Sequence, residues 1–445
     1  MLYSKCDNRR IVIIFARCYM PEFLKDLTVW SILEQVAFYS YLILFIWGGT
    51  NKFGKKLEFN DDFTSLDAMK SLRGFAAIGV ILHHISQEEI FQTKGVLSPF
   101  VNAGAYFVAI FFFCSGFGLI KSLDTKKDYL KGFIRNRIVK TIVLPFYVNV
   151  LVYGLLMFIS GVKLPKERWI FNFLGLTMMN EYAWFPIVLA ILYLVFFLCF
   201  RFIKNRPVCL GIILVAIIGL GIGFCYNGHF AWWFGSDNWW LKPNLAPKAL
   251  WWQSQKALWF SGEWWVNSAP AFFTGLLFGS CEKQITAFFK KAYALKFHIL
   301  LIITMIFFKL SSYGQSKFGY WTEWSGKGPG IEDKIKTYFC QVPLFLFLGL
   351  VIIIFMMKYH VSNPVSRFFG KYSLHTYLMN LAALTAVRFL QTSDSPIKAG
   401  KYNLLVYALA VFALTILAGV GEQKLTELIQ KLLFRKKKEK AKATT

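Results

Sequence analysis

The chain has 445 residues, 56% of them hydrophobic and 18% aromatic, with 47 phenylalanines and a formal net charge of +26. That composition excludes an ordinary soluble domain, and apolar runs long enough to cross a bilayer recur along its length. The charge does not point to nucleic acid, because the basic residues gather in alternate connections between apolar runs.

The first fifty residues are open to several readings. Leu27 to Trp47 is long enough to span but contains Glu34, and Arg9, Arg10, Arg17 and Lys25 precede it. It is an eleventh span, an amphipathic helix in the interface, a re-entrant segment, or the product of a poorly chosen start. No small-residue cleavage site follows its apolar part, which argues against a cleaved signal peptide. Residues 1–66 are therefore set apart as an N-terminal extension, a peripheral segment or an extra span. Ten spans follow, over 68–87, 101–121, 141–161, 184–203, 208–226, 268–281, 296–312, 341–358, 372–390 and 402–421. The sixth is short and interrupted by glycine. The runs lack the two-residue alternation of barrel strands, so the fold class is all-α, a polytopic bundle of about ten transmembrane helices over 67–421. Residues 422–445 form a basic cytoplasmic tail.

The first span, Asp67 to Ile85, carries Arg73 in its first third and His83-His84 near its end. Arginine and histidine are costly in hydrocarbon, so inside a span they mark a functional site by default. At 100° per residue, Arg73 and His84 return to within about 20° of one face, about 16 Å apart along the axis. Ala77 and Val80 lie between them on that face, leaving room for a substrate or another helix. His83 points about 100° away, which makes His84 the better partner for Arg73.

Further along, Lys121, Lys126, Lys127, Lys131, Arg135, Arg137 and Lys140 separate the second and third spans. Lys52, Lys55 and Lys56 precede the first span, and Arg201, Lys204 and Arg206 follow the fourth. Lys283, Lys290 and Lys291 follow the sixth, Lys358, Arg367 and Lys371 follow the eighth, and Arg435 to Lys440 close the series. Every second connection is basic, which puts both ends of the ten-span body, and hence the carboxyl terminus, in the cytoplasm. Nine of the fifteen tryptophans, Trp232, Trp233, Trp239, Trp240, Trp251, Trp252, Trp259, Trp264 and Trp265, fall in one extracytoplasmic connection. Indoles there suit an aromatic belt at headgroup level or stacking on sugar faces. Asp and Glu are almost absent from the spans. The eight cysteines are scattered, with no metal-ligand spacing, and no phosphate-binding glycine loop or internal repeat is present.

Five stretches in order carry a family resemblance. They are Leu72-Arg-Gly-Phe-Ala to His84, Phe111-Phe-Phe-Cys-Ser-Gly-Phe117, Arg135-Asn-Arg leading to Pro145, Ala183-Trp-Phe-Pro to Tyr193, and Asn363-Pro364 with Phe369-Gly-Lys-Tyr-Ser to Leu378. Together, over about 65–420, they resemble the acyltransferase 3 family of integral membrane O-acyltransferases. One position departs: where that family often has a histidine, this chain has Asn380, a side chain that does not titrate.

The resemblance implies transfer of an acyl group, commonly acetyl, from cytoplasmic acyl-CoA to a hydroxyl of a sugar or other acceptor. The expected acceptor is a cell-envelope or exported glycan, and the expected location is the bacterial plasma membrane among its lipids. His84 is then the general base. Arg73 holds donor phosphate or steadies the oxyanion. Arg135, Arg137 and Lys140 meet the phosphates of coenzyme A, and Ser115 lines the donor channel beside Gly116. Basic loops of this kind also serve as plain topology signals, and Ser115 with Gly116 also suits helix packing. Trp184 is expected as an interface anchor, and His375 as a capping or packing residue. No metal, no tightly bound cofactor and no nucleic acid is expected. The alternative is a carrier or flippase of glycan or lipid-linked sugar, with Arg73 and His84 on its pathway.

Overall fold

The computed structural model describes residues 29–92, 97–161, 169–170, 180–233, 266–319, 331–392 and 404–434. Its main elements are helices: α1 (Val29–Ile46), α2 (Leu66–Ser86), α3 (Gly104–Thr125), a π-helical stretch Ile134–Val143 continued by α4 (Leu144–Ile159), α5 (Trp184–Phe202) and α6 (Arg206–Trp233). Then come α7 (Pro270–Ser280), α8 (Glu282–Lys290), α9 (Tyr293–Phe318), α10 (Ile331–Met356), α11 (Pro364–Thr392) and α12 (Leu404–Leu433). Two short strands, β1 (Thr50–Asn51) and β2 (Tyr359–His360), pair antiparallel, Thr50 opposite His360. The protein is an all-α polytopic membrane protein, with a helix at each of the ten expected spans.

Seven of these segments are long and apolar enough to cross a bilayer by themselves: α3, the π-helix with α4, α5, α6, α9, α10 and α12. The three others are the innermost in character. Helix α2 carries Asp67, Lys70 and Arg73, α11 carries Arg367, Lys371 and Arg388, and α7 has only 11 residues, most of them buried. Lipid tails give no hydrophobic reason for helices to associate, so close contact relies on small residues and polar bonds. Both operate here. A Cβ on Gly74 of α2 would lie 1.7 Å from the Ser366 carbonyl of α11, and one on Gly370 would lie 1.8 Å from that of Lys70. Gly116 of α3 and Gly275 of α7 show the same reciprocity against the Phe272 and Phe113 carbonyls. Glycine is needed where backbones touch, which is what the second motif, Ser-Gly-Phe, supplies. The outer helices differ: α9 turns Leu295, Ile302, Met305 and Ile306 outward, as a lipid-facing surface requires.

Capping fixes the ends of the inner helices. Ser65 accepts from the Ala68 N–H at 3.2 Å to start α2. Asn363 accepts from the Ser366 N–H at 2.8 Å, with Pro364 at the first helical position of α11, which accounts for the Asn-Pro pair. The same Asn363 amide donates to the carbonyls of Leu44 (2.8 Å) and Trp47 (3.2 Å) at the end of α1. Near its middle α1 meets Phe100 through Phe38, and Tyr41 stacks on Phe75 at 4.1 Å and donates to its carbonyl at 3.0 Å. Helix α1 thus packs against α2 through Tyr41. Beside β2, Lys358 is buried and donates to the carbonyls of Lys55 (2.6 Å), Lys56 (3.3 Å) and Glu58 (2.6 Å), tying 50–60 to the end of α10. Burial pushes that ammonium below the ordinary lysine range.

One expectation is corrected: Trp184 is no interface anchor; it is buried, edge-on to Phe185. The last helix continues past 421 to Leu433, with Glu422 and Thr426 buried. Asp and Glu are absent from the expected spans, and Glu88 and Glu422 sit buried just past their ends. The tryptophans from Trp239 to Trp265 and the basic tail from Arg435 lie outside the described residues, and of Trp232 and Trp233 only the helical backbone is described.

Candidate active site

Helix α2 carries both predicted catalytic residues, and its partner α11 runs alongside in the same direction, from Gly370 beside Lys70 to Asn380 beside His84. Ala77 and Val80, between Arg73 and His84, are buried, so protein and not open space fills that part of the face.

At the Arg73 end, the Nε of Arg73 is buried and has no hydrogen-bond partner. Arg73 is within electrostatic reach of Cys114 on α3 and of Tyr193 on α5. Ser115 lies within side-chain bonding range of the same tyrosine, and Arg137 reaches it electrostatically. Arg137 is held over the ring of Tyr129 at 5.5 Å, with Nη2 donating to Ser122 Oγ at 3.4 Å. Arg73, Ser115 and Arg137 therefore converge on Tyr193. Tyr129 continues into a cleft of about 640 Å³ also lined by Lys126, Lys131 and Arg201, three cations not singled out in the sequence as site residues.

The other two basic candidates do not join this group. Arg135 is exposed, for a simple reason: residues two apart on a helix point to roughly opposite sides, so Arg135 and Arg137 cannot share a face. Lys140 sits over the ring of Phe434 at 4.6 Å, and its carbonyl accepts from Gln430 at 2.7 Å. The segment that carries all three is π-helical, closed by Leu144 N–H to the Val139 carbonyl, five residues back. Pro145, one residue on, has no N–H to give Lys140, and the Gln430 amide takes its place.

At the other end His84 is buried, its Nδ1 2.6 Å from Asn380 Oδ1. Asn380 Nδ2 donates to Thr415 Oγ1 at 3.1 Å, and Thr415 donates to the Val411 carbonyl at 2.7 Å. The ring of Tyr182 lies flat on His84, centroids 3.8 Å apart and planes 16° apart. Tyr182 is placed by Asn180, whose Oδ1 accepts from its N–H at 3.1 Å and whose amide donates to Asn149 Oδ1 (3.0 Å) and the Leu378 carbonyl (2.9 Å). His83 turns elsewhere: its Nδ1 meets the Phe100 carbonyl at 2.8 Å and its ring fills the space that Gly104 leaves.

Several residues here were not singled out from the sequence. Glu88, just past α2, pairs with Arg388 through Nε at 2.8 Å and through Nη2, and accepts from Tyr407 at 2.9 Å. The signal for Glu88 was its place four residues after His84; for Arg388, on a helix 300 residues away, there was none. His375 pairs with the buried Glu422, a polar tie between α11 and α12.

These helices define a polytopic membrane protein in which α2 holds a cation near one end and a buried imidazole near the other. Residues 66–421 match the model of the acyltransferase 3 family, described as an acyltransferase domain, and the chain belongs to that family: it is a membrane acyltransferase. No curated protein and no solved structure matches it. The five motifs divide by role. Gly74, Gly116, Asn363 and Pro364 pack or cap helices, while Arg73, His84, Ser115, Arg137 and Tyr193 gather at the two ends of the candidate site.

Proposed function

We propose that the protein transfers an acyl group, most simply acetyl, from acyl-CoA to a hydroxyl of a cell-envelope or exported glycan. The observation that carries this reading is the pair on α2, a cation with a buried unpaired Nε at one end and a held imidazole at the other. The donor enters at the Arg73 end. Its phosphates meet Lys126, Lys131 and Arg201 in the cleft, and its arm passes Tyr129 and Arg137 to Arg73. The acceptor hydroxyl meets His84, which takes its proton as the oxygen attacks the thioester carbon. The C–O bond forms, the C–S bond breaks, and the thiolate leaves with the proton returned to it.

The geometry supports one of the two roles expected of Arg73. An oxyanion donor must stand about 3 Å from the reacting carbonyl oxygen, whereas Arg73 is about 16 Å from His84 along the axis and, like every helical side chain, leans toward the N-terminus, away from it. Arg73 therefore holds the donor. The Arg73 end is the cytoplasmic one on this reading, supported by the basic residues that meet there: Lys121 with Glu282, Arg206 with Asp124, Lys290 with Asp61. That orientation also makes the carboxyl terminus cytoplasmic, in a bacterial plasma membrane.

The test is acyl transfer from radiolabelled acetyl-CoA by membranes containing wild type or His84→Ala at matched expression. Label passing to glycan in the wild type and not in the variant supports the reading. Equal transfer in both removes His84 from the chemistry, and no transfer in either, over several acyl donors with glycan present, favours a carrier.

A further inference from the structure

The bonds behind His84 have a direction. The Val411 carbonyl can only accept, so the single hydroxyl proton of Thr415 goes to it at 2.7 Å. Thr415 Oγ1 is then left to accept from its other neighbour, and Asn380 must turn its Nδ2 toward it, at 3.1 Å. The reverse amide orientation would set two oxygens against each other with no proton between them. With Nδ2 fixed on Thr415, Oδ1 faces His84 Nδ1 at 2.6 Å. An amide oxygen only accepts, so the ring proton sits on Nδ1 and the lone pair on Nε2. The ring cannot rotate out of this arrangement easily, since Tyr182 covers it at 3.8 Å while His83 and Tyr377 stand at 5.1 and 6.5 Å.

We infer that Asn380, backed by Thr415, is a positioning residue that holds His84 in the Nδ1–H tautomer and presents a bare Nε2 to the acceptor hydroxyl. The inference rests on the acyl-transfer reading for its purpose, though not for its geometry. Asn380 is also the position at which this chain departs from the histidine its family often has. A non-titrating side chain suffices there because the requirement is an acceptor of fixed direction, not a second proton carrier. The carboxylate of a Ser-His-Asp triad meets the same requirement by the same bond to Nδ1.

Two readouts on the full-length protein in lipid nanodiscs separate this inference from the reading it serves. The first is the nitrogen NMR signature of ¹⁵N-histidine-labelled protein, with the His84 signal assigned by its loss in His84→Gln. The expected wild-type ring is protonated on Nδ1. Asn380→Leu, which removes the acceptor, shifts the ring to the Nε2–H form or a mixture, and Asn380→Asp, which keeps an acceptor, preserves Nδ1–H. Thr415→Val, a milder change that frees the amide to flip, gives a mixture and covers the case in which Asn380→Leu does not fold. The second readout is steady-state transfer. Asn380→Leu lowers kcat on the order of 100-fold, the lower end of what a positioned base contributes, with the donor KM unchanged, and Asn380→Asp recovers most of that loss. An Nε2–H ring in the wild type, or a ring unaffected by both Asn380→Leu and Thr415→Val, overturns the inference whatever the activity. A wild-type protein with the Nδ1–H ring but no acyl transfer overturns the functional reading and leaves the role of Asn380 in setting the tautomer intact.

Discussion

The two ends of α2 solve the problem of polar groups in a membrane in opposite ways. Around His84 the polar side chains satisfy one another: His84 with Asn380 and Thr415, Asn149 with Asn180, Glu88 with Arg388 and Tyr407. Around Arg73 the matching is incomplete, and Arg73 Nε and Ser71 Oγ are buried without hydrogen bonds. A satisfied buried network stiffens its surroundings, whereas each unmet polar atom costs about 1–3 kcal/mol. The contrast fits a division of labour. On the proposed reading, the imidazole is aimed before substrate arrives, and the donor's anionic groups complete the Arg73 end.

The largest expected effect comes from breaking the complete end. Arg388→Met leaves Glu88 buried with only Tyr407 for a partner, and we expect a loss of about 3 kcal/mol, the low end for a broken buried pair because Arg388 is half exposed. Denaturant unfolding in detergent measures it. Adding Glu88→Gln to Arg388→Met should recover part of the loss; a double variant as unstable as the sum of the singles would show that the pair is not coupled.

The matching change at the incomplete end should behave differently. Arg73→Met removes an unpaired cation and is expected to leave stability unchanged or raise it by up to about 1 kcal/mol, while the donor KM rises on the order of 30-fold, a charge-assisted bond of about 2 kcal/mol. If Arg73→Met destabilised the protein as much as Arg388→Met, the contrast between the ends would fail.

What could be seen of this from the sequence follows from what sets each feature. Span positions were legible because bilayer thickness sets the length of apolar runs, and each expected span holds a helix. The polar turns 331–340 and 422–433 were not, because protein neighbours and not lipid cover Lys334, Glu422 and Thr426, and hydropathy cannot tell the two apart. The placing of Arg73 and His84 towards opposite ends of one helix was legible from the sequence. The Glu88–Arg388 pair was not, since nothing local to either residue names a partner 300 positions away. Asn380 looked like the loss of a titrating group, and only its place between His84 and Thr415 gives it a function.

Within the incomplete end, the π-helix sharpens the comparison by separating two arginines that the sequence treats alike. Arg137 faces Tyr129 and Ser122, whereas Arg135 is exposed. We expect Arg137→Ala to raise the donor KM about 5-fold, roughly 1 kcal/mol of partly screened charge-assisted bonding. Arg135→Ala should change it less than about 2-fold. Equal effects would mean that the loop acts through net charge alone, and the contribution of Arg137 would then fall away with added salt as that of Arg135 does.

The smallest effect tests why Arg137 faces inward at all. A π-helical segment is uncommon, and this one runs into Pro145, which lacks the N–H that would close its last turn on the Lys140 carbonyl. Gln430 supplies that donor from α12 at 2.7 Å. Gln430→Leu takes it away without adding charge, at a cost of about 0.5–1 kcal/mol, because the carbonyl is half-buried and water can reach part of it. The stability change is modest, but the consequence for the donor end is specific. If Gln430 helps hold the π register, relaxing the turn rotates Arg137 away from Ser122 and the donor KM rises about 2-fold, in the direction of Arg137→Ala. In an Arg137→Ala background the Gln430→Leu substitution should then have no further effect on KM, whereas an additive loss would mean that α12 supports the donor end by some route other than the orientation of Arg137.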